Sequence, residues 1–280
     1  MIGRPRWHRV GPARTAEVIE RLAEWPCPPG GAVRHMFPLA TLETHGPDVL
    51  RVAERGRRLA ACVVLPGQLL VPCGDAELIA AAGTPTNRWR LVVGDAAAAD
   101  AVLAPVRYDP GLRVHIQRFQ TVDPDRVPDE REVPDPGLRL ALPEDVPALT
   151  ELAVQLHVDD GYGPHPGRSG YRGYRARMVG SVASGRVLCV GARGEPVMKI
   201  ERAVTSDRFG VQLSGVCVTP SARAKGLGKG AMAAAVRATL AERPGRAISL
   251  HVRADNRVAL RAYEVAGFVD REEWRLAVRP

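Results

Sequence analysis

The chain has 280 residues, of which 45% are hydrophobic and 25% charged, so it is long enough for two domains with cores and too apolar for a disordered protein. The five cysteines are scattered without a Cys-x-x-Cys pair, which argues against a disulfide framework and favours a cytoplasmic location, while the absence of a long apolar run argues against a membrane partner. The net charge of +8 suits a polyanionic ligand, but arginines are spread along the whole chain and form no block typical of a nucleic-acid site.

The first 121 residues are predicted to form helices, then a meander of strands, then alternating helices and strands. Apolar residues recur at helical spacing or alternate at strand spacing in these segments. The predicted helices cover residues 15–25, 36–44, 75–82 and 96–103, and the predicted strands cover residues 49–53, 59–65, 69–72, 89–93 and 112–122.

Residues 122–137 are predicted to form a stiff, solvated linker. Four prolines fall here among acidic residues and Gly137, and the apolar content is low. The predicted domains are therefore residues 1–121 and residues 138–280.

The second domain is predicted to begin with a short strand and a helix and to continue with a mixture of both elements. Residues 158–172 are rich in Gly, Tyr, Pro and His and lack periodicity, so they are predicted to form a loop. Strands are predicted at 138–142, 187–191, 197–204, 211–218 and 248–252 and from Phe268, and helices at 143–156, 174–183, 231–240 and 258–266. Gly267 is the expected stop of the last helix.

A basic loop with three alternating glycines links the strand that ends at Val218 to the alanine-rich helix. Glycines let the backbone approach a ligand closely, and the first turn of a helix attracts phosphate through its N–H groups. Arg223, Lys225 and Lys229 add mobile positive charge. The segment is therefore predicted to bind a pyrophosphate.

The glycine spacing excludes two common phosphate motifs and fits a third. Neither the P-loop pattern nor the dinucleotide pattern G-x-G-x-x-G occurs here. The pattern V-x-P-x-x-R-x-x-G-x-G, matched at Val218, Pro220, Arg223, Gly226 and Gly228, resembles the acyl-CoA binding motif of the GNAT superfamily of N-acetyltransferases. A second segment of that superfamily, N-x-x-A-x-x-x-Y-x-x-x-G-F, is matched at Asn256, Ala259, Tyr263, Gly267 and Phe268. The resemblance covers about residues 138–279.

The resemblance implies a tandem GNAT-like fold of mixed α+β or α/β class, with a mostly antiparallel central sheet flanked by helices and a functional C-terminal half. The N-terminal half repeats the order of elements loosely and lacks the phosphate motif, as in two-domain actinobacterial members with a degenerate first half. Its role stays open among shaping the acceptor cleft, forming a homodimer, binding a carrier and simple packing.

The resemblance also implies an acyltransferase that moves an acetyl or other acyl group from acyl-CoA to a primary amine, by direct attack in a ternary complex. The acceptor is expected to be a small molecule or an N-terminal α-amine, acetyl-CoA is the expected co-substrate and no metal is expected. Tyr263 is the implied general acid. The implied CoA-binding residues are Val216, Cys217, Val218, Arg223, Ala224, Lys225, Gly226, Leu227, Gly228, Lys229 and Asn256.

The general base is predicted to be Glu201, because superfamily members often carry a glutamate on this strand. Alternation places Lys199 and Glu201 on one face, so a solvent-facing carboxylate paired with a lysine is the simpler alternative. His251 is a second candidate base. Four residues near the predicted loop are candidates for recognising a cationic amine: His157, Asp159, Asp160 and His165.

Two other functions stay open at this point. Some tandem GNAT-like enzymes take the aminoacyl group of aminoacyl-tRNA, and the basic character of the chain permits this although the intact R-x-x-G-x-G motif argues against it. The other alternative is a CoA-sensing module without catalysis.

Overall fold

The computed structural model describes residues 4–25 and 34–279, which excludes Cys27. The described chain contains these helices: α1 (Pro12–Ala23), α2 (Met36–His45), α3 (Ala76–Ala82), α4 (Ala96–Leu103), α5 (Val146–Asp159), α6 (Arg168–Ala183), α7 (Leu227–Glu242) and α8 (Arg257–Val265). It also contains these strands: β1 (Leu50–Arg55), β2 (Arg58–Leu65), β3 (Leu69–Gly74), β4 (Leu91–Asp95), β5 (Arg113–Val122), β6 (Arg139–Leu140), β7 (Val187–Ala192), β8 (Glu195–Ser206), β9 (Gly210–Val218), β10 (Ile248–Arg253) and β11 (Phe268–Val278).

The chain divides into two compact units, each made of separate stretches of sequence. Unit 1 takes the described residues of Met1–Phe119, His251–Asp255 and Asp270–Pro280, and unit 2 takes Gln120–Leu250 and Asn256–Val269. The division therefore falls within β5, β10 and β11. The domain limits at residues 121 and 137 stay a prediction from composition.

Unit 1 contains a β-meander followed by strands from distant parts of the sequence. Strands β1, β2 and β3 pair antiparallel, β3 pairs parallel with β4, and β4 pairs antiparallel with the later residues of β11. Helices α3 and α4 pack against this sheet, where Ile79 and Val102 are buried with Leu70 and Val92.

Unit 2 contains the antiparallel strands β6 to β9, with β10 parallel to β9. The pairing of β8 with β9 is irregular at two points. Lys199 pairs with Cys217 whereas Glu201 pairs with Ser214, so Gly215 and Val216 on β9 lie opposite one residue of β8. This is a β-bulge, and bulges bend a strand and redirect its backbone groups.

The helices of unit 2 follow from the local sequence. Helices α5 and α6 pack on each other, and α5 also packs on β8 and β9, while α7 packs on β9 and α8. The segment predicted as a loop at 158–172 is shorter than expected, because α5 runs to Asp159 and α6 already begins at Arg168. The first residues of α6 are polar and rich in glycine, so the sequence does not predict a helix there. The helical pattern is recognisable only further along α6, where Met178 and Val182 are buried in the core.

The proline-rich segment 122–137 lies within unit 2 and contacts α7. Arg237 donates hydrogen bonds to the carbonyl oxygens of Pro128 and Val133, both at 3.1 Å. A Cβ on Gly230 would lie 3.0 Å from the carbonyl oxygen of Pro134, so this helix position has room only for glycine without a shift. The segment is largely exposed, but hydrogen bonds hold it along the helix.

Candidate functional site

The turn between β9 and α7 contains two residues with left-handed backbone angles. A short 3-10 helix, Pro220–Ala222, follows the strand, and Ala224 and Gly226 then adopt left-handed φ angles of +61° and +73°. Gly226 is the N-cap of α7 and supplies no side chain to cap it, and the first turn contains no acidic residue. The start of α7 therefore keeps its partial positive charge uncompensated.

The backbone N–H groups of residues 224–229 donate to no acceptor in the part of the chain that the structure describes. The first hydrogen bond of the helix runs from the N–H of Gly230 to the carbonyl oxygen of Gly226, at 3.3 Å. These six residues are exposed or half-buried, so the N–H groups are accessible. An array of unpaired donors at a helix N-terminus is suited to an anion.

The three cationic side chains of the turn differ in their contacts. Neither Lys225 nor Lys229 forms an ion pair with a described residue. Arg223 is held in place instead: its Nε donates to the carbonyl oxygen of Val218 at 3.0 Å, and its Nη2 donates to Asp159 Oδ2 at 2.7 Å. The expectation of a mobile charge at Arg223 is therefore wrong, because the end of α5 supplies a carboxylate within reach.

Strand β9 loses its neighbour β10 part-way along. Only Val211 with Ile248 and Gln212 with Ser249 are paired, although β9 continues to Val218. The β10-facing edge of β9 from residue 213 onward is therefore unpaired. Backbone groups near Val216 and Val218 lie on this stretch, while the thiol of Cys217 is buried in the core beneath α5.

Glu201 is buried and contacts two cationic side chains. It is therefore not the solvent-facing carboxylate that the simpler alternative predicts. Its Oε1 accepts from Lys199 Nζ at 2.5 Å and its Oε2 accepts from Arg177 Nη1 at 3.0 Å. Burial by itself would raise the pKa of Glu201, but the two cations outweigh it and lower the pKa below its ordinary value. Glu201 is therefore ionised at neutral pH.

Helix α8 carries the other two predicted residues. The side-chain oxygen of Asn256 accepts from the N–H of Ala259 at 3.1 Å, so Asn256 is the N-cap of α8. Tyr263 is buried next to Phe268, with ring centroids 5.9 Å apart. Burial, and secondarily the charge of Asp160, raises the pKa of Tyr263, so its hydroxyl stays protonated.

The candidate acceptor residues at the end of α5 and in the loop that follows make contacts of different kinds. His157 is hydrogen-bonded through Nδ1 to the Tyr174 hydroxyl at 2.8 Å and through Nε2 to the Pro164 carbonyl oxygen at 3.2 Å, so it orders the loop. Asp159 pairs with Arg223, as described above. The exposed His165 borders a cavity of about 330 Å³, lined by His165, Pro166, Gly167, Arg168, Tyr171 and Arg172.

The second candidate base, His251, belongs to unit 1. Its ring packs at a tilt against Trp274 and Phe119, with centroids 4.3 Å and 5.2 Å apart. Burial lowers the pKa of His251 to about 3, so the imidazole is neutral at physiological pH. The other candidate residues named above all lie in unit 2.

The sequence that forms this turn and its neighbouring strands has a known counterpart. Residues 185–268 match the acetyltransferase (GNAT) family. The matched segment contains Glu201, the turn at 223–229, Asn256 and Tyr263. No curated protein is similar enough in sequence to count as a match.

Solved structures of GNAT proteins resemble this chain over nearly its whole length. A GNAT-family acetyltransferase from Colwellia psychrerythraea is 10% identical, with a TM-score of 0.59, and the likeness covers 97% of this chain and 98% of the other. A GCN5-related N-acetyltransferase from Sphaerobacter thermophilus is 15% identical with a TM-score of 0.62, over 100% and 98% of the two chains. A tandem GNAT protein from the clavulanic acid biosynthesis pathway is 14% identical with a TM-score of 0.56, over 98% of each chain.

At these identities the likeness concerns the fold, and it confirms the predicted tandem GNAT-like architecture. Among the described residues, Cys62, Cys73, Cys189 and Cys217 are buried free thiols. Across residues 4–25 and 34–279 no group of three metal-ligating side chains is found. No helix in the same ranges combines the length and the apolar character needed to cross a membrane.

Sequence reasoning missed three contacts of the GNAT segment and its surroundings: Arg177 with Glu201, Arg223 with Asp159, and His157 with Tyr174. Each joins residues that are 17 or more positions apart. The one available signal was a lysine and a glutamate two residues apart on a largely apolar strand, which suggests a paired charge inside the sheet.

Proposed function

We propose that this protein transfers an acyl group, in the first instance acetyl, from acyl-CoA to a primary amine by direct attack. The observation that carries the proposal is the row of unpaired N–H groups at residues 224–229, next to the unpaired edge of β9. The match of residues 185–268 to the GNAT family supports it.

The turn and the start of α7 suit the diphosphate of CoA. Six N–H donors are available, and Lys225 and Lys229 carry charges that no carboxylate of the described chain neutralises. A Cβ built on Gly228 meets no atom within 4 Å, so the surface in front of the helix is open. Donors, charge and open space together are what a pyrophosphate site needs.

The unpaired edge of β9 suits the pantetheine arm. An extended chain with amide groups can add to an open strand edge by backbone hydrogen bonds. The N–H of Val216, in the bulge, is then the proposed donor to the carbonyl oxygen of the thioester, where negative charge develops during attack.

The remaining chemistry needs two proton transfers. The amine nitrogen forms a bond to the thioester carbon and the carbon–sulfur bond breaks, while the amine loses a proton and the leaving sulfur gains one. Glu201, ionised, is the proposed acceptor of the amine proton, directly or through water, and Tyr263 is the proposed donor to sulfur. The raised pKa of Tyr263 makes it a weak acid, so its contribution is expected at the lower end of the usual range.

The proposal is tested by Gly228→Asp and calorimetry with CoA. A carboxylate about 4 Å from a phosphate costs roughly 4 kcal/mol at the effective dielectric of a protein surface, which is a loss of affinity of more than a hundredfold. The substitution meets no atom within 4 Å, and an aspartate in the first turn favours the helix, so the melting temperature is not expected to fall.

The matched control is Gly180→Asp in α6, an exposed helical glycine whose Cβ also meets no atom within 4 Å. It adds the same charge and is expected to bind CoA as the wild type does. Unchanged CoA affinity in Gly228→Asp would refute the proposal that the turn at residues 224–229 binds the diphosphate. CoA binding without turnover of acetyl-CoA on a panel of primary amines would favour a sensing module instead.

A second candidate function is transfer from aminoacyl-tRNA, and one charge pattern favours it. Residues 161–194 contain six arginines and no acidic residue. On α6, Arg168, Arg172 and Arg175 are exposed and make no ion pair with the described residues. Filter binding of tRNA across a salt series tests this function, because phosphate contacts make affinity fall steeply with salt concentration. Replacing Arg168, Arg172 and Arg175 together by alanine is expected to make that dependence shallower.

A further inference from the structure

The chain contains only three lysines, and they lie at the candidate site. Of 39 basic residues only Lys199, Lys225 and Lys229 are lysines. Lys225 and Lys229 belong to the proposed CoA site, whereas Lys199 is fully buried on β8. A fully buried ammonium is costly, so its contacts are expected to have a specific purpose.

The ammonium of Lys199 joins the predicted base to the backbone of the bulge. Nζ donates to Glu201 Oε1 at 2.5 Å and to the carbonyl oxygen of Gly215 at 2.8 Å. Gly215 and Val216 are the two residues of β9 that lie outside the regular pairing with β8. Lys199 therefore holds the bulge at the point where it departs from the sheet.

The carbonyl of Gly215 and the N–H of Val216 belong to the same peptide group. A peptide group is planar, and the described chain has no cis peptide bond, so these two groups point in opposite directions. Holding the Gly215 oxygen against the Lys199 ammonium therefore turns the Val216 N–H away from it. The proposed oxyanion donor is aimed by this contact.

The ion pair between Lys199 and Glu201 occupies the space next to Gly215. Its φ is +59°, and a Cβ there would lie 2.7 Å from Glu201 Oε1 and 2.9 Å from Lys199 Nζ. Any side chain would displace the pair or the bulge. An arginine in place of Lys199 is also too large, because its planar guanidinium cannot replace a compact ammonium between these two oxygens.

We propose that Lys199 is a positioning residue of the acyl transfer, which fixes the Gly215–Val216 peptide so that its N–H faces the thioester carbonyl, and which holds the Glu201 carboxylate beside it. The inference rests on the proposed function and adds a residue to it. It makes no claim that Lys199 touches substrate.

The test compares Lys199→Met, Lys199→Arg and Gly215→Ala with the wild type. Misplacing a donor by about 1 Å costs roughly a hundredfold, so we expect kcat to fall by about that factor in each variant. The KM for acetyl-CoA is expected to change by less than about twofold, because the diphosphate is bound elsewhere. The double variant Lys199→Met/Gly215→Ala is expected to lose no more than either single variant, since both disturb one unit.

A pH profile separates positioning from loss of structure. Without Lys199 the pKa of Glu201 rises, so the acidic limb of kcat/KM is expected to move to higher pH in Lys199→Met, which partial unfolding would not cause. Gly185→Ala is the matched control, because Gly185 has a φ of +64° and its Cβ would meet no atom within 4 Å. It carries the same backbone strain and is expected to keep wild-type kinetics.

Wild-type turnover is measured first. If the wild type shows no turnover, the proposed function is refuted, and the positioning role of Lys199 is then tested by a second readout. That readout is the NMR chemical shift of the Val216 amide nitrogen with CoA absent. It is expected to change in Lys199→Met, because the Gly215 carbonyl shares one conjugated peptide unit with that nitrogen and loses its hydrogen bond to the ammonium. If Lys199→Met does not fold, the kcat and the acidic limb of Gly215→Ala decide. A wild-type kcat, acidic limb and Val216 nitrogen shift in folded Lys199→Met would overturn the proposal.

Discussion

The relative weight of backbone and side chains in the proposed CoA site can be measured by removing both lysines of the turn. Lys225 and Lys229 are exposed and form no ion pair with the described residues, so Lys225→Ala/Lys229→Ala is expected to leave the free energy of unfolding unchanged. An exposed ion pair contributes about 0.2–1 kcal/mol. The double variant should therefore bind CoA about 2- to 30-fold more weakly.

The N–H groups are expected to contribute more than the lysines. A hydrogen bond to a charged group is worth about 1.5–3 kcal/mol, and six N–H donors are available at residues 224–229. Gly228→Asp, which opposes these donors with a charge, should consequently weaken binding more than the loss of both lysines. The order of the two effects is the prediction.

Calorimetry with CoA at several salt concentrations measures both variants. The lysine variant should show a shallower dependence on salt than the wild type, because exposed charges are screened. Arg193→Ala/Arg246→Ala removes two exposed charges outside the turn and is the control for net charge. A loss of CoA affinity of a thousandfold or more in the lysine variant, with little effect of Gly228→Asp, would refute a dominant contribution of the N–H groups of residues 224–229.

Three further predictions concern the predicted acid, the predicted base and the stability of unit 2. Tyr263→Phe is expected to lower kcat by about ten- to a hundredfold with CoA affinity unchanged, and kcat equal to wild type would remove the acid role. Glu201→Gln is expected to lower kcat far more than CoA affinity, and equal turnover across the pH range would exclude Glu201 as base. Asp145, paired with Arg139 at 2.7 Å, has its pKa lowered to about 2, chiefly by that hydrogen bond, so its stabilisation is present above pH 3.8 and is lost as pH falls towards 2. Asp145→Asn should cost about 3 kcal/mol in urea unfolding at pH 7 and flatten the acid dependence, and an unchanged slope below pH 4 would contradict this.

Much of the fold was predictable because its signals are local. The cap of α8 at Asn256 and the glycine turn before α7 depend on neighbouring residues, and the structure has the helices and strands near their predicted places. Where the prediction failed, as at the start of α6, the local sequence was polar and only contacts with α5 reveal the helix.

The sequence by itself determined the glycine-rich turn before α7, since alternate glycines, a proline and the helix that follows specify that backbone locally. Only the tertiary structure decided what the charged side chains contact. Lys199 and Gly215 are 16 residues apart and meet through a register shift between two strands, and Arg223 meets Asp159 across 64 residues. Such pairings depend on how strands and helices are brought together, and no spacing in a single sequence encodes that.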